Sequence, residues 1–157
     1  MTSSIQNVDT DVVSRIPHRP PFLFVDSIVA ETEDSITTRL VARPEFDFFR
    51  GHYPGNPIMP GVLISESVFQ TGAILMGKIM ERSGDVGGAA TPVLVRIENA
   101  RFRSAVRPGD ELTITAKLKE RSGAFTFMTG SVKAGDRRVM TVDFCVAMTS
   151  PDGTTGG

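Results

Sequence analysis

FFRGHYPGNPIMPGVLISESVFQTGAILMGKIM, residues 48–80, joins two opposed kinds of sequence. In its first half Pro54, Pro57 and Pro60 alternate with Gly51, Gly55 and Gly61, a composition that predicts a loop. From Gly61 onward Val62, Leu63, Ile64, Val68, Phe69, Ala73, Ile74, Leu75, Met76, Ile79 and Met80 point all round a helical cylinder. A helix that is apolar on every side is a buried helix. Within it, Glu66 and Gln70 lie four residues apart on one face, and Ala73 and Gly77 continue the stripe. A carboxylate at such a place must be paired or have its pKa raised. His52 precedes it in the proline-glycine loop. One histidine and one acid, both tied to rigid backbone at the mouth of a buried helix, read as a general acid–base pair.

The rest of the chain narrows the field. At 157 residues it fits one domain over 1–157, with a polar opening segment of about 1–14 and a Gly-rich tail at about 150–157. Seventeen basic against eighteen acidic residues argue against nucleic acid as a partner. The lone Cys145 excludes disulfides within the chain and points to the cytoplasm. The first residues lack the apolar core of a secretory signal, and Gln70, Thr71, Gly72 and Lys78 interrupt the longest apolar run, so no membrane span is expected. With only His18 and His52 and no cysteine pair, no metal or other cofactor is expected.

In chain order, Pro17, Pro20 and Pro21 force an extended approach to a first strand over 22–30, and a second follows over 35–42. After the helix comes a glycine-rich connector, ERSGDVGGAATP, at 81–92. Four strands then read in meander order. VLVRIENARF leads to a Pro-Gly-Asp turn. ELTITAKLKE sets Leu112, Ile114, Ala116 and Leu118 on one face. AFTFMTGSVKA turns at Gly135-Asp136 into RRVMTVDFCVAM. Two strands, a long buried helix and four strands make an α+β chain in which an antiparallel sheet wraps the helix, the hotdog fold. One small sheet cannot cover such a helix on every flank, so a second copy is expected to close the remainder as a homodimer.

The same residues carry a family resemblance. IPHRPPFLFVD at 16–26, FFRGHYPGNPIMPGVLISESVFQTGAIL at 48–75 and RFRSAVRPGDEL at 101–112 resemble the three signature segments of the FabZ-type 3-hydroxyacyl-[acyl-carrier-protein] dehydratases. The resemblance implies that His52 and Glu66 are the catalytic pair. It implies that Gly61 offers its N–H to the thioester oxygen and that Gln70 lines the site. It implies a hydro-lyase of fatty-acid biosynthesis that converts 3-hydroxyacyl thioesters on acyl carrier protein to trans-2-enoyl thioesters. It also implies a homodimer with shared sites, assembled in some members as three dimers. Tyr53 stands where that family has Phe, and Ser65 and Ser67 where it is more apolar.

The residues leave several readings side by side. Glu66 either protonates the departing hydroxyl or only positions it. Gln70 reads equally as a structural hydrogen-bonder and as a substrate contact. Arg101, Arg103 and Arg107 form a solvated strand edge or a docking patch for an acidic carrier protein. His18, between prolines, reads as structural, and Cys145 as a small buried hydrophobe. A hotdog acyl thioesterase and a non-catalytic acyl-thioester binding paralogue are the alternative functions. His52 weighs against the first, and the intact His52 and Glu66 against the second.

Overall fold

Antiparallel pairing joins all six strands of the computed structural model, which describes residues 8–84 and 91–149. The elements are α1 (Thr10–Arg15), β1 (Ser27–Glu31), β2 (Ser35–Val41), α2 (Phe48–Gly51), α3 (Gly61–Ser83), β3 (Thr91–Phe102), β4 (Glu111–Ser122), β5 (Phe125–Ala134) and β6 (Arg137–Thr149). The expected tail at 150–157 lies outside the described residues, as do 1–7 of the opening segment and 85–90 of the connector.

α3 is the core element. Pro60 precedes its first turn and Gly84 ends it, with φ at 77° and the Gly84 N–H bonded to the Glu81 and Met80 carbonyls. The left-handed region that this ending needs is open to glycine at no cost. Twelve of the thirteen residues from Ile64 to Met76 are buried, Glu66 alone being partly open. The helix is long and apolar enough to cross a membrane, yet most of it is covered by the protein itself. Val68, Ile74 and Leu75 meet Ile36, Leu40, Leu112, Ile114 and Met128 from the sheet in one continuous apolar core. Gly130 of β5 lets the two layers approach, because a Cβ there would collide with Val68.

Sheet order is β1-β2-β4-β5-β6-β3. The hotdog architecture therefore stands, with one correction to the expected connectivity. β4, β5 and β6 form the meander, and Gly135 at φ 60° closes their second hairpin. β3 does not pair with β4 but crosses to the far edge and pairs with β6. That edge strand leaves Val93, Val95 and Ile97 well exposed.

Three smaller differences have local causes. The first strand begins at Ser27 rather than 22, because the Phe24 N–H and the Phe22 carbonyl are bonded to the side chain of Gln70 instead of to a neighbouring strand. The polar opening segment contains α1, capped by Asp9 accepting from the Asp11 N–H and anchored by buried Val12. The proline-glycine loop is not wholly irregular, since Phe48–Gly51 forms one helical turn before the prolines begin.

Candidate active site

His52 follows α2 directly, its N–H closing on the Phe48 carbonyl. Backbone bonds pin the loop beyond it. The Ile58 N–H donates to the His52 carbonyl at 2.8 Å, the Asn56 N–H to Tyr53 at 3.0 Å, and the Met59 N–H to Val106 at 2.8 Å. The imidazole Nδ1 lies 3.0 Å from the Ile58 carbonyl. A carbonyl only accepts, so in the neutral ring Nδ1 carries the proton and Nε2 keeps the lone pair, the tautomer a general base requires. Tyr53 stacks on the ring with centroids 4.2 Å apart. Loop, turn and stack together hold the imidazole in one orientation.

Glu66 sits one and a half turns into α3, its side chain 22% exposed. The Gln70 amide donates to Glu66 Oε1 at 3.1 Å, and His18 Nε2 stands 3.7 Å from the same oxygen. Glu66 is thus the open point of an otherwise buried stretch, and its second oxygen has no hydrogen-bond or ion-pair partner among the described residues. Gln70 is fully buried and committed within the chain. Its Oε1 accepts from the Phe24 N–H at 2.8 Å, and its Nε2 also reaches the Phe22 carbonyl at 3.3 Å. Of the two readings of Gln70, this geometry favours the structural clamp, one that reaches the site through Glu66.

The start of α3 supplies a third group. No side chain caps the helix, and the first hydrogen bonds to Pro60 come from the Leu63 and Ile64 N–H groups. The Gly61 and Val62 N–H groups are therefore unclaimed among the described residues, at the positive end of the helix dipole. The ring of Phe102 lies so close to Gly61 that a Cβ there would sit 3.0 Å from it. Any larger residue would require the Phe102 ring to give way. Ser65 and Ser67 bond back to the Gly61 and Ile64 carbonyls of their own helix.

Within one chain no hydrogen bond or ion pair joins His52 to Glu66. His52 bonds Ile58 and stacks on Tyr53, while Glu66 meets Gln70 and His18. The three arginines also part company. Arg107 donates to Asn56 at 3.0 Å and so braces the His52 loop. Arg103 instead lines a hollow with Lys133 and Arg138, beside Met140. The sequence reading did not single out those two cations, which only the folded sheet brings to Arg103. It also missed the approach of His18 to Glu66, which joins distant parts of the chain.

Comparison with known proteins bears on the family and the fold. A family model described as a FabA-like domain matches residues 16–143. A 3-hydroxyacyl-[acyl-carrier-protein] dehydratase FabZ of Caulobacter sp. (strain K31) is 40% identical over 143 residues, covering 89% of this chain and 85% of that protein. The protein of the same description from Anaeromyxobacter sp. (strain Fw109-5) is 41% identical, with 87% of each chain covered. Among solved structures, a chain of the dehydratase heterocomplex ApeI:P from Xenorhabdus doucetiae superposes with a TM-score of 0.77 at 14% identity, covering 90% of this chain and 93% of its own. A hypothetical thioesterase protein with coenzyme A from Streptococcus pneumoniae TIGR4 gives a TM-score of 0.61 at 11% identity, with 89% and 92% covered. At those identities the structural matches speak for the hotdog fold alone. The family model and the relatives near 40% identity go further: the chain belongs to the FabA-like family and, within it, to the FabZ-type 3-hydroxyacyl-[acyl-carrier-protein] dehydratases.

Proposed function

We propose that the protein dehydrates 3-hydroxyacyl groups carried on acyl carrier protein to trans-2-enoyl thioesters in fatty-acid synthesis, in sites shared between the two subunits of a homodimer. One observation carries the site assignment: among the described residues His52 Nε2 and Glu66 Oε2 are without a partner, and no hydrogen bond or ion pair joins the two residues within a chain. In the reaction, His52 Nε2 takes the α-proton as the thioester oxygen gains charge. The unclaimed N–H groups at Gly61 and Val62 suit that oxygen, and one such donor is worth about 3–4 kcal/mol in the transition state. The C–O bond to the β-hydroxyl then breaks and the alkene forms. Glu66 either donates the proton that leaves with the hydroxyl as water, or orients the hydroxyl while the His52 imidazolium returns it.

The exposed edge of β3 supports the homodimer. Val93, Val95 and Ile97 lie on it, and Val62 at the head of α3 is 76% exposed, an apolar surface that a second copy would cover. Three such dimers would make the hexamer. Arg103, Lys133 and Arg138 line one hollow, a cationic surface suited to an acidic carrier protein, Arg101 of β3 adds a charge two residues before Arg103, and Arg107 braces the His52 loop. A cytoplasmic setting fits the single buried Cys145.

The test is the absorbance of the enoyl thioester when purified protein meets 3-hydroxyacyl groups on carrier protein and, separately, on coenzyme A. The reading expects formation of the enoyl product with the carrier substrate preferred. Release of free thiol without enoyl product would favour a thioesterase instead. Binding without turnover would favour a non-catalytic paralogue.

A further inference from the structure

His18 does not behave as a packing residue. Its side chain is 28% exposed, and its Nδ1 is fully buried with no hydrogen-bond partner among the described residues. An unsatisfied buried nitrogen costs stability, and native proteins rarely keep one without a compensating reason. Were the ring there only to fill space, a leucine would fill it without that cost. The backbone around it is also held with unusual care. Arg19 donates to the carbonyls of Val13, Ile16 and His18 at 3.0, 2.8 and 2.6 Å, locking the turn that presents the imidazole.

What the ring faces is Glu66. Both contacts to that carboxylate fall on Oε1, from Gln70 Nε2 at 3.1 Å and from His18 Nε2 at 3.7 Å. Gln70 comes from the same helix, one turn on, and is itself clamped by the 22–24 backbone. His18 comes from the segment that precedes β1. With the Gln70 bond in place, a second donor drawn onto the same oxygen would fix the rotation of the carboxylate and so the direction of the other oxygen. At 3.7 Å the His18 contact is longer than a hydrogen bond, and hydrogen bonds of catalytic groups commonly tighten only when substrate is bound.

We infer that His18 is a positioning residue for Glu66: with Gln70 it seats Oε1 so that Oε2 faces the β-hydroxyl of the substrate. This rests on the reading of Glu66 as the group that handles that hydroxyl. It departs from the expectation that His18 is structural. Nδ1, having no acceptor, gains nothing from the proton, so the neutral ring carries it on Nε2, toward the carboxylate.

The test uses the full chain and four substitutions. His18→Leu keeps apolar volume and removes the donor. His18→Asn keeps polarity but stops short of the Nε2 position. His18→Gln places an amide N–H where Nε2 was. Each is made in the parent and in Glu66→Gln. His18→Leu and His18→Asn should each lower kcat about tenfold or more with KM changed less than about twofold, the pattern of an interaction made in the transition state. His18→Gln should recover turnover to within about threefold of the parent, and His18→Leu should melt no lower than the parent. In the Glu66→Gln background the same His18 changes should cost less than about twofold, because the residue they act through is gone. Equal fold losses in both backgrounds, or parent-like kcat in His18→Asn, would overturn the inference while leaving the catalytic pair intact. Unfolding of His18→Leu would leave the decision to the Asn–Gln contrast, where equal kcat in the two also overturns it. Parent-like turnover in Glu66→Gln alone would overturn the reading of Glu66 and this inference with it.

Discussion

Replacing Gln70 with leucine tests how the site is tied to the core. The two side chains are similar in size, so the change chiefly removes hydrogen bonds. The Phe24 N–H, on a residue only 2% exposed, loses the acceptor that Gln70 Oε1 provides at 2.8 Å. Stranding a buried donor costs about 1–3 kcal/mol. The Phe22 carbonyl belongs to a half-exposed residue and regains water at little cost. The bond to Glu66 is charge-assisted but open to solvent, so it adds about 1 kcal/mol at most. Burying leucine in place of an amide returns about 1 kcal/mol. The net loss is about 2 kcal/mol, which for a chain of this size lowers Tm by about 4–8 °C. Urea unfolding and calorimetry at matched protein concentration measure it, since the apparent stability of the proposed dimer would depend on concentration. A loss below about 0.5 kcal/mol would refute the clamp and return Gln70 to the role of a free substrate contact.

Glu31 offers a pH test. A hydrogen bond from Lys78, with Arg15 beside it, holds its carboxyl below the usual carboxylate range, so its contribution is present at neutral pH and lost as pH falls through that lowered pKa. Glu31→Gln should cost under about 1 kcal/mol at neutral pH, and its gap from the parent should close in acid; a gap that widens in acid would contradict the sign. Gly130→Ala should destabilise by about 1–3 kcal/mol in chemical denaturation, because its new methyl meets buried Val68, a stiff β-branched side chain. Exhaustive chelation should leave dehydration unchanged, and recovery of a lost rate on adding zinc would refute a mechanism run by His52 and Glu66 alone.

The elements that were legible in the sequence are those whose local chemistry agrees with their tertiary place. Proline and glycine punctuate the loop and the ends of α3, and a run such as Leu112, Ile114 and Ala116 announces a half-buried strand. What was not legible depends on contacts between distant segments. β3 has no clean alternation, since most of both its faces are open within one chain, and nothing local says that it pairs with β6 rather than β4. The start of β1 depends on an amide far along the chain taking the Phe24 N–H and the Phe22 carbonyl. α1 left a readable trace in the Asp9–Asp11 cap, but at six residues it is too short for apolar periodicity to mark it. At the candidate site, His52, Glu66 and Gln70 stand in one contiguous stretch and were readable together, whereas the role proposed for Gly61 came from the family resemblance. His18 was set aside because its partner lies far along the chain, and Arg107 was grouped with cations whose company it does not keep.

The shared site is tested most directly by mixing two inactive proteins, His52→Ala and Glu66→Ala, under conditions that exchange subunits. If each site draws His52 from one subunit and Glu66 from the other, a mixed dimer holds one site lacking both residues and one intact. Random pairing makes about half the dimers mixed, so about a quarter of parent dehydratase activity should return. No recovery, with exchange verified independently, would mean that a single chain supplies the pair and would contradict the account.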